Sequence, residues 1–176
     1  TCAAVRPRAH GPPVGERDGL GALLTELDYP MVVVTAAAGD ERSGCLVGFF
    51  SQCSVHPPRL AVLLSVTNRT FGVAERATHL AVHVLHADQR GLAELFGSTT
   101  GDETDKFDRC GWSPGPGGAP VLEDCPSWVV GRIIDRRSTG DHVMHVLEPV
   151  TAEHRRRPLQ QLGFQDVVDL APGHDP

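Results

Sequence analysis

Residues 60–70 read LAVLLSVTNRT, a run without charge until Arg69 that ends in small polar groups just ahead of a helix start. A buried strand that delivers Asn68, Arg69 and Thr70 to a helix start is a place to hold a phosphate. Unpaired backbone N–H groups and the positive end of the helix dipole converge there. The stretch therefore predicts a bound, nucleotide-like cofactor.

The chain on either side of this run reads mostly as hairpins. Upstream, Leu20, Leu23, Leu24 and Leu27 fall at i, i+3, i+4 and i+7, one apolar stripe of a helix that Pro30 ends. Met31 to Ala37 reads as a strand, Gly39 to Gly44 as a turn, and Cys45 to Phe50 as the hairpin partner. The Pro57-Pro58 break then leads into the strand at Leu60. Downstream, a short helix over Phe71 to Ala77 precedes a strand at Leu80 to Leu85. Asp88 reads as the N-cap of a helix carrying Leu92, Leu95 and Phe96, closed by Gly97. Residues 98–125 read as loop, with SPGPGGAP at 113–120 too rich in Pro and Gly for regular structure, a candidate lid or interface. Strands at Trp128 to Ile134 and His142 to Val150 follow. Six strands in hairpin order with helices at the side predict a mainly β fold, an antiparallel barrel with peripheral helices. The strand–crossover alternation of a doubly wound sheet is missing from this pattern.

Composition narrows the function. The 176 residues carry a formal net charge of −6, which argues against nucleic acid or an anionic membrane as the main partner, since both select basic faces. No segment approaches the roughly 18–20 apolar residues of a membrane span, and TCAAVRPRAHGPP at the start lacks an apolar signal core, so a cytoplasmic protein is expected. Five cysteines without a C-x-x-C pair fit neither a disulfide framework nor a zinc ribbon. Cys45 and Cys53 lie near the proposed site. The expected organisation is a loose arm over 1–17, one domain over 18–154, and an extension over 155–176 that packs on the domain or its dimer.

Other motifs are weaker. Gly115, Gly117 and Gly118 alternate with prolines and precede no helix pattern, so neither a dinucleotide fingerprint nor a phosphate loop is supported. LAVHVL is a period-2 strand, which puts His83 and His86 on opposite faces and argues against a metal site; His142 and His145 likewise diverge. No nucleophile triad can be assigned, because its members meet in space rather than in order. Lys106, a lone cation beside Phe107, is a candidate phosphate contact.

Taken in order, GCLVGFFSQCSVHPP at 44–58, TNRT at 67–70, HLAVHVL at 79–85, GDETDKF at 101–107 and GDHVMHVLEPV at 140–150 resemble the flavin reductase-like, FMN-binding split-barrel family. The resemblance implies a homodimer of split barrels that hold FMN, or FAD, near the subunit interface, with NADH or NADPH as hydride donor. It places Leu46, Val47, Gly48, Phe49, Ser51 and Gln52 along the flavin, and Asn68, Arg69 and Thr70 at its ribityl-phosphate end. Lys106 and Phe107 match the family's basic–aromatic pair, and His142 of the Gly-Asp-His element is set near the nicotinamide and the flavin ring as the catalytic residue. No metal is implied. Relatives often carry Thr, Ser or Asn where Leu46 to Phe49 stand here, so backbone groups are expected to replace side-chain hydrogen bonds to the flavin; His83 stands where relatives often have Asn. The implied activity is an NAD(P)H-dependent flavin oxidoreductase, with a partner monooxygenase among the implied acceptors of its reduced flavin. The alternatives are an FMN-bound electron-transfer protein or ferric reductase, and a non-catalytic flavin- or haem-binding module. The 107–130 region is the expected dimer contact.

Overall fold

The computed structural model describes residues 19–98, 105–156, 158–171 and 173. The expected arm over 1–17 and the acidic half of GDETDKF, 101–104, lie outside the described residues. Nine strands are present among the described residues: β1 Val32–Ala38, β2 Glu41–Val47, β3 Phe50–Ser54, β4 Arg59–Ser65, β5 His79–Val84, β6 Trp112–Pro114, β7 Pro120–Leu122, β8 Ser127–Ser138 and β9 His142–His154. Three helices accompany them: α1 Leu20–Glu26, α2 Arg69–Ala74 and α3 Arg90–Gly97.

Seven strands form one antiparallel sheet in the order β2-β1-β5-β8-β9-β4-β3, and β6-β7 form a small ribbon. The sheet curls until β2, at one edge, comes back against β4, next to the other edge. The curl leaves a split between them. The mainly β, antiparallel barrel read from the sequence is the observed fold, with seven strands in the sheet where six were expected. The β6-β7 ribbon is a further departure, since it lies inside 98–125, the stretch read as loop, where Trp112–Pro114 pairs with Pro120–Leu122 across the Pro-Gly turn. The stretch 45–50 is not a single strand: β2 begins at Glu41, inside the expected turn, and the chain breaks at Gly48 and Phe49 before β3. Only Gly39 and Asp40 form the turn, with Gly39 at φ 61°, a left-handed conformation that a residue without Cβ adopts freely.

Strand β1 explains why MVVV is apolar without alternation: both of its faces are buried. Val32, Val34 and Ala36 point inward with Val62, Leu64, Leu80, Val82 and Leu147. Helix α2 closes this interior with Val73 and Ala74. Met31 and Val33 face outward, where α3, the 105–125 segment and the C-terminal segment form a second layer around Phe96, Phe107, Leu122 and Leu162. The 107–130 region, expected as a dimer contact, therefore uses much of its apolar surface inside its own protomer. Helix α3 starts at Arg90 with Gln89 before it, and Asp88 pairs instead with Arg156.

Helix α1 carries its leucine stripe as read, but buries none of it. Leu20, Leu23, Leu24 and Leu27 are all exposed, Leu23 at 56%. The helix is held at its C-terminal end, where Gln165 donates to the Thr25 and Leu27 carbonyls at 2.8 and 3.2 Å.

Candidate functional site

A cavity of about 410 Å³ opens at the split, within the range typical of small-molecule sites. Its walls come from the end of β2 and the Gly48–Phe49 break, from Leu63 to Ser65 of β4, from Asn68 before α2, and from His142 at the start of β9. Tyr29 and Met31 ahead of β1, Leu24 and Thr25 of α1, and Phe164 complete it. Three polar side chains of the lining come together. Ser65, Asn68 and His142 share one corner, because Ser65 pairs with His142 in the sheet and the Asn68 N–H donates to the Ser65 carbonyl. Leu24, Met31 and Phe164 add apolar wall, and Phe164 is separated from His142 by the rings of Tyr29 and Phe49.

An aromatic row runs along the cavity. Phe164 meets Tyr29 at 6.3 Å between ring centroids, Tyr29 meets Phe49 at 6.3 Å, and Phe49 meets His142 at 5.1 Å, all edge to face. Phe49 is half exposed and also lines a neighbouring hollow with Ser51 and Ala61.

His142 is oriented by its sequence neighbour. Its Nδ1–H donates to Asp141 Oδ1 at 2.8 Å, and this bond holds the Asp141 carboxyl below the usual carboxylate range. In the neutral ring Nε2 is then the nitrogen with a lone pair. Cys45 also lines the cavity, but burial pushes its thiol up to about 11, so it stays a protonated, unreactive group at neutral pH.

Six of the residues named from sequence line the cavity: Leu46, Val47, Gly48, Phe49, Asn68 and His142. The others lie elsewhere. Ser51 borders the adjacent hollow, and Gln52, exposed on β3, donates to the Ser54 carbonyl. Thr70 is buried, its hydroxyl 2.9 Å from Ser43 Oγ, and its N–H donates to the Asn68 side chain. Arg69 opens α2 and is not among the residues that line the cavity. Lys106 does not reach the cavity. Its ammonium is buried and donates to the Gly44 and Phe96 carbonyls at 3.1 and 3.0 Å, tying β2 to the last turn of α3, where a cation suits the helix dipole. Burial lowers its pKa. Phe107 packs between Phe96 and Trp112 in the outer layer.

His83 is likewise part of the scaffold. Its Nδ1–H donates to the Val33 carbonyl and the Leu122 N–H donates to its Nε2, both at 3.0 Å, and burial lowers its pKa to about 4. The residues missed from sequence are chiefly Tyr29, Ser65 and Phe164. Phe164 offered one signal, an apolar LGF inside the polar tail PLQQLGFQD.

Residues 24–167 match the family model described as flavin reductase like domain. The chain belongs to the flavin reductase-like family. Among its relatives, the FMN reductase (NADH) SmoA of Agrobacterium fabrum is 31% identical, over 79% of this chain and 75% of that protein. The stachydrine N-demethylase reductase subunit Stc3 of Rhizobium meliloti is 29% identical, over 74% of this chain and 54% of that protein. The chain spans about half the length of the first curated relatives it matches. Among solved structures, the NADH:FAD oxidoreductase SgcE6 of Streptomyces globisporus superposes with a TM-score of 0.75 at 25% identity, over 89% of this chain and 92% of that one. Family membership confirms the fold read from the sequence, and none of the described helices is long and apolar enough to cross a membrane.

Proposed function

We propose that the protein is an NAD(P)H:flavin oxidoreductase that passes hydride from a nicotinamide to FMN or FAD bound in the cavity at the barrel split. The carrying observation is the cavity itself: apolar walls for a flat ring system, one polar corner, and an oriented imidazole in that corner. Relatives named as FMN reductase and NADH:FMN oxidoreductase support the same reading.

The donor set fits the flavin's ring better than its phosphate. The described residues that line the cavity include no Lys or Arg, and Thr70 and Lys106 are engaged with the protein. Leu46 to Phe49 would border the ring with backbone groups, and Asn68 and Ser65 would meet the ribityl side. A bound flavin supplies the hydride-accepting chemistry. The chain's part is to bury the reacting rings, keep water out, and hold them in register. Asp141 fixes the His142 tautomer, and Phe49 packed edge-on restrains the imidazole plane, so that Nε2 can meet a polar group of the reacting pair.

A homodimer is part of the proposal, and the bare leucine stripe of α1 beside the cavity is the surface that supports it. Reduced flavin would then pass to a partner oxygenase or another acceptor, as the reductase-subunit name of Stc3 suggests for that relative.

The test is direct. Purified protein given FMN or FAD should oxidise NADH or NADPH under saturating kinetics. A protein inert with every nicotinamide and flavin combination would overturn the proposal, and a tightly bound flavin without turnover would favour an electron-transfer role.

A further inference from the structure

The C-terminal segment enters the site at the far end of the stretch that matches the family model. Residues 160–164 run as a strap across the barrel. The Ala87 N–H donates to the Gln160 carbonyl, the Leu162 N–H to Leu85, the Met31 N–H to Leu162 and the Phe164 N–H to Tyr29. Leu162 is buried in the outer layer, so the strap is anchored on both sides of Phe164. Gln165 then grips the end of α1, and its own N–H donates to Asp28. A Cβ on Gly163 would fall 2.2 Å from Asp28 Oδ1, so the strap lies as close to that loop as glycine permits.

Phe164 is thereby fixed against Tyr29, at the end of the aromatic row away from His142, in a wall that is mostly apolar. The row's other end meets His142, in the corner with the polar groups Ser65 and Asn68. Isoalloxazine has the same asymmetry: a dimethylbenzene end without polar atoms, and a pyrimidine end with ring nitrogens and carbonyls. From this match, we infer that Phe164 is a flavin-contacting residue that sets ring orientation, with the dimethylbenzene edge against the strap and the polar edge toward His142. The inference rests on the flavin reading of the cavity and names the residue that selects which end of the ring enters first.

A ligand-side cycle tests it through binding. FMN and an FMN analogue lacking both ring methyl groups are titrated into the parent and into Phe164→Leu, with melting temperature measured alongside. The expected result is about a tenfold weaker FMN affinity in the variant, the order of one edge-to-face ring contact together with lost apolar burial. The analogue should lose no more than about twofold. Phe164→Trp provides a second readout that requires little repacking: its added emission, after subtraction of the parent's Trp112 and Trp128 signal, should be quenched when FMN binds. Equal loss for both flavins, or unchanged FMN affinity, or an unquenched tryptophan while FMN is bound, would overturn the orientation and leave the flavin site standing. A parent that binds neither flavin would overturn both.

Discussion

His83 on β5 and His142 on β9 stand on strands separated only by β8, and their surroundings engage them in opposite ways. His83 commits both ring nitrogens to main chain, one to Val33 and one to Leu122, so it ties β5 to the outer layer as a neutral ring. His142 commits one nitrogen to Asp141 and lines a cavity. Their sequence settings, HLAVHVL and GDHVMHVL, do not distinguish them by residue type. What separates them is the setting, one ring closed between main-chain partners and the other in a cavity wall.

The largest effect expected from that contrast is on stability. His83→Leu leaves the Leu122 N–H and the Val33 carbonyl without their partners, at about 1–3 kcal/mol for each buried group. Denaturant unfolding should show a loss of about 3 kcal/mol, while the folded fraction binds flavin within twofold of the parent. An unchanged midpoint would break the contrast at its structural end.

Acid should act through the same residue. The folded pKa of His83, about 4, lies below the ordinary value of 6.5, so the unfolded chain takes up the proton first. Stability from this group is complete above pH ~6.5 and falls as pH drops toward ~4, by roughly 3 kcal/mol at full extent. Burial lowers the pKa of His86 and His145 as well, which adds in the same direction. Melting temperature followed across this window should fall in the parent and fall less in His83→Leu. Equal slopes would assign the acid sensitivity elsewhere.

A smaller stability effect is expected at Gly44, just before the cavity wall. A Cβ there would lie 2.7 Å from Phe96 Cε1 and 3.1 Å from Thr35 Cγ2, both side chains buried. Gly44→Ala should cost about 1–3 kcal/mol by overpacking. It should also weaken flavin binding a few-fold, because β2 and the Lys106 anchor on the Gly44 carbonyl must shift together. A stable variant with unchanged binding would separate the cavity wall from the outer layer.

Much of this was legible in the chain. Hairpin order and the apolar runs of β1 and β4 forecast the antiparallel barrel, and six of the named site residues, His142 among them, line the cavity. Lys106 misled because local sequence shows a lone cation beside an aromatic ring, whereas the carbonyls that receive its protons come from β2 and α3, distant in sequence. Thr70 misled similarly, since its hydroxyl meets Ser43 across the fold. The leucine stripe of α1 announced a helix correctly, yet periodicity cannot say whether a stripe faces the protomer's own core. Phe164 and Tyr29 reach the cavity only through strap hydrogen bonds between residues far apart in the chain.

The smallest expected energy belongs to His142, whose loss should slow hydride transfer without disturbing the fold. Anaerobic mixing of NADH or NADPH with flavin-loaded protein, parent against His142→Ala, should show flavin reduction slowed about tenfold, with melting temperature unchanged and flavin affinity within twofold. A variant that loses flavin but keeps its rate per bound flavin would contradict the account, as would a parent in which no nicotinamide reduces the bound flavin.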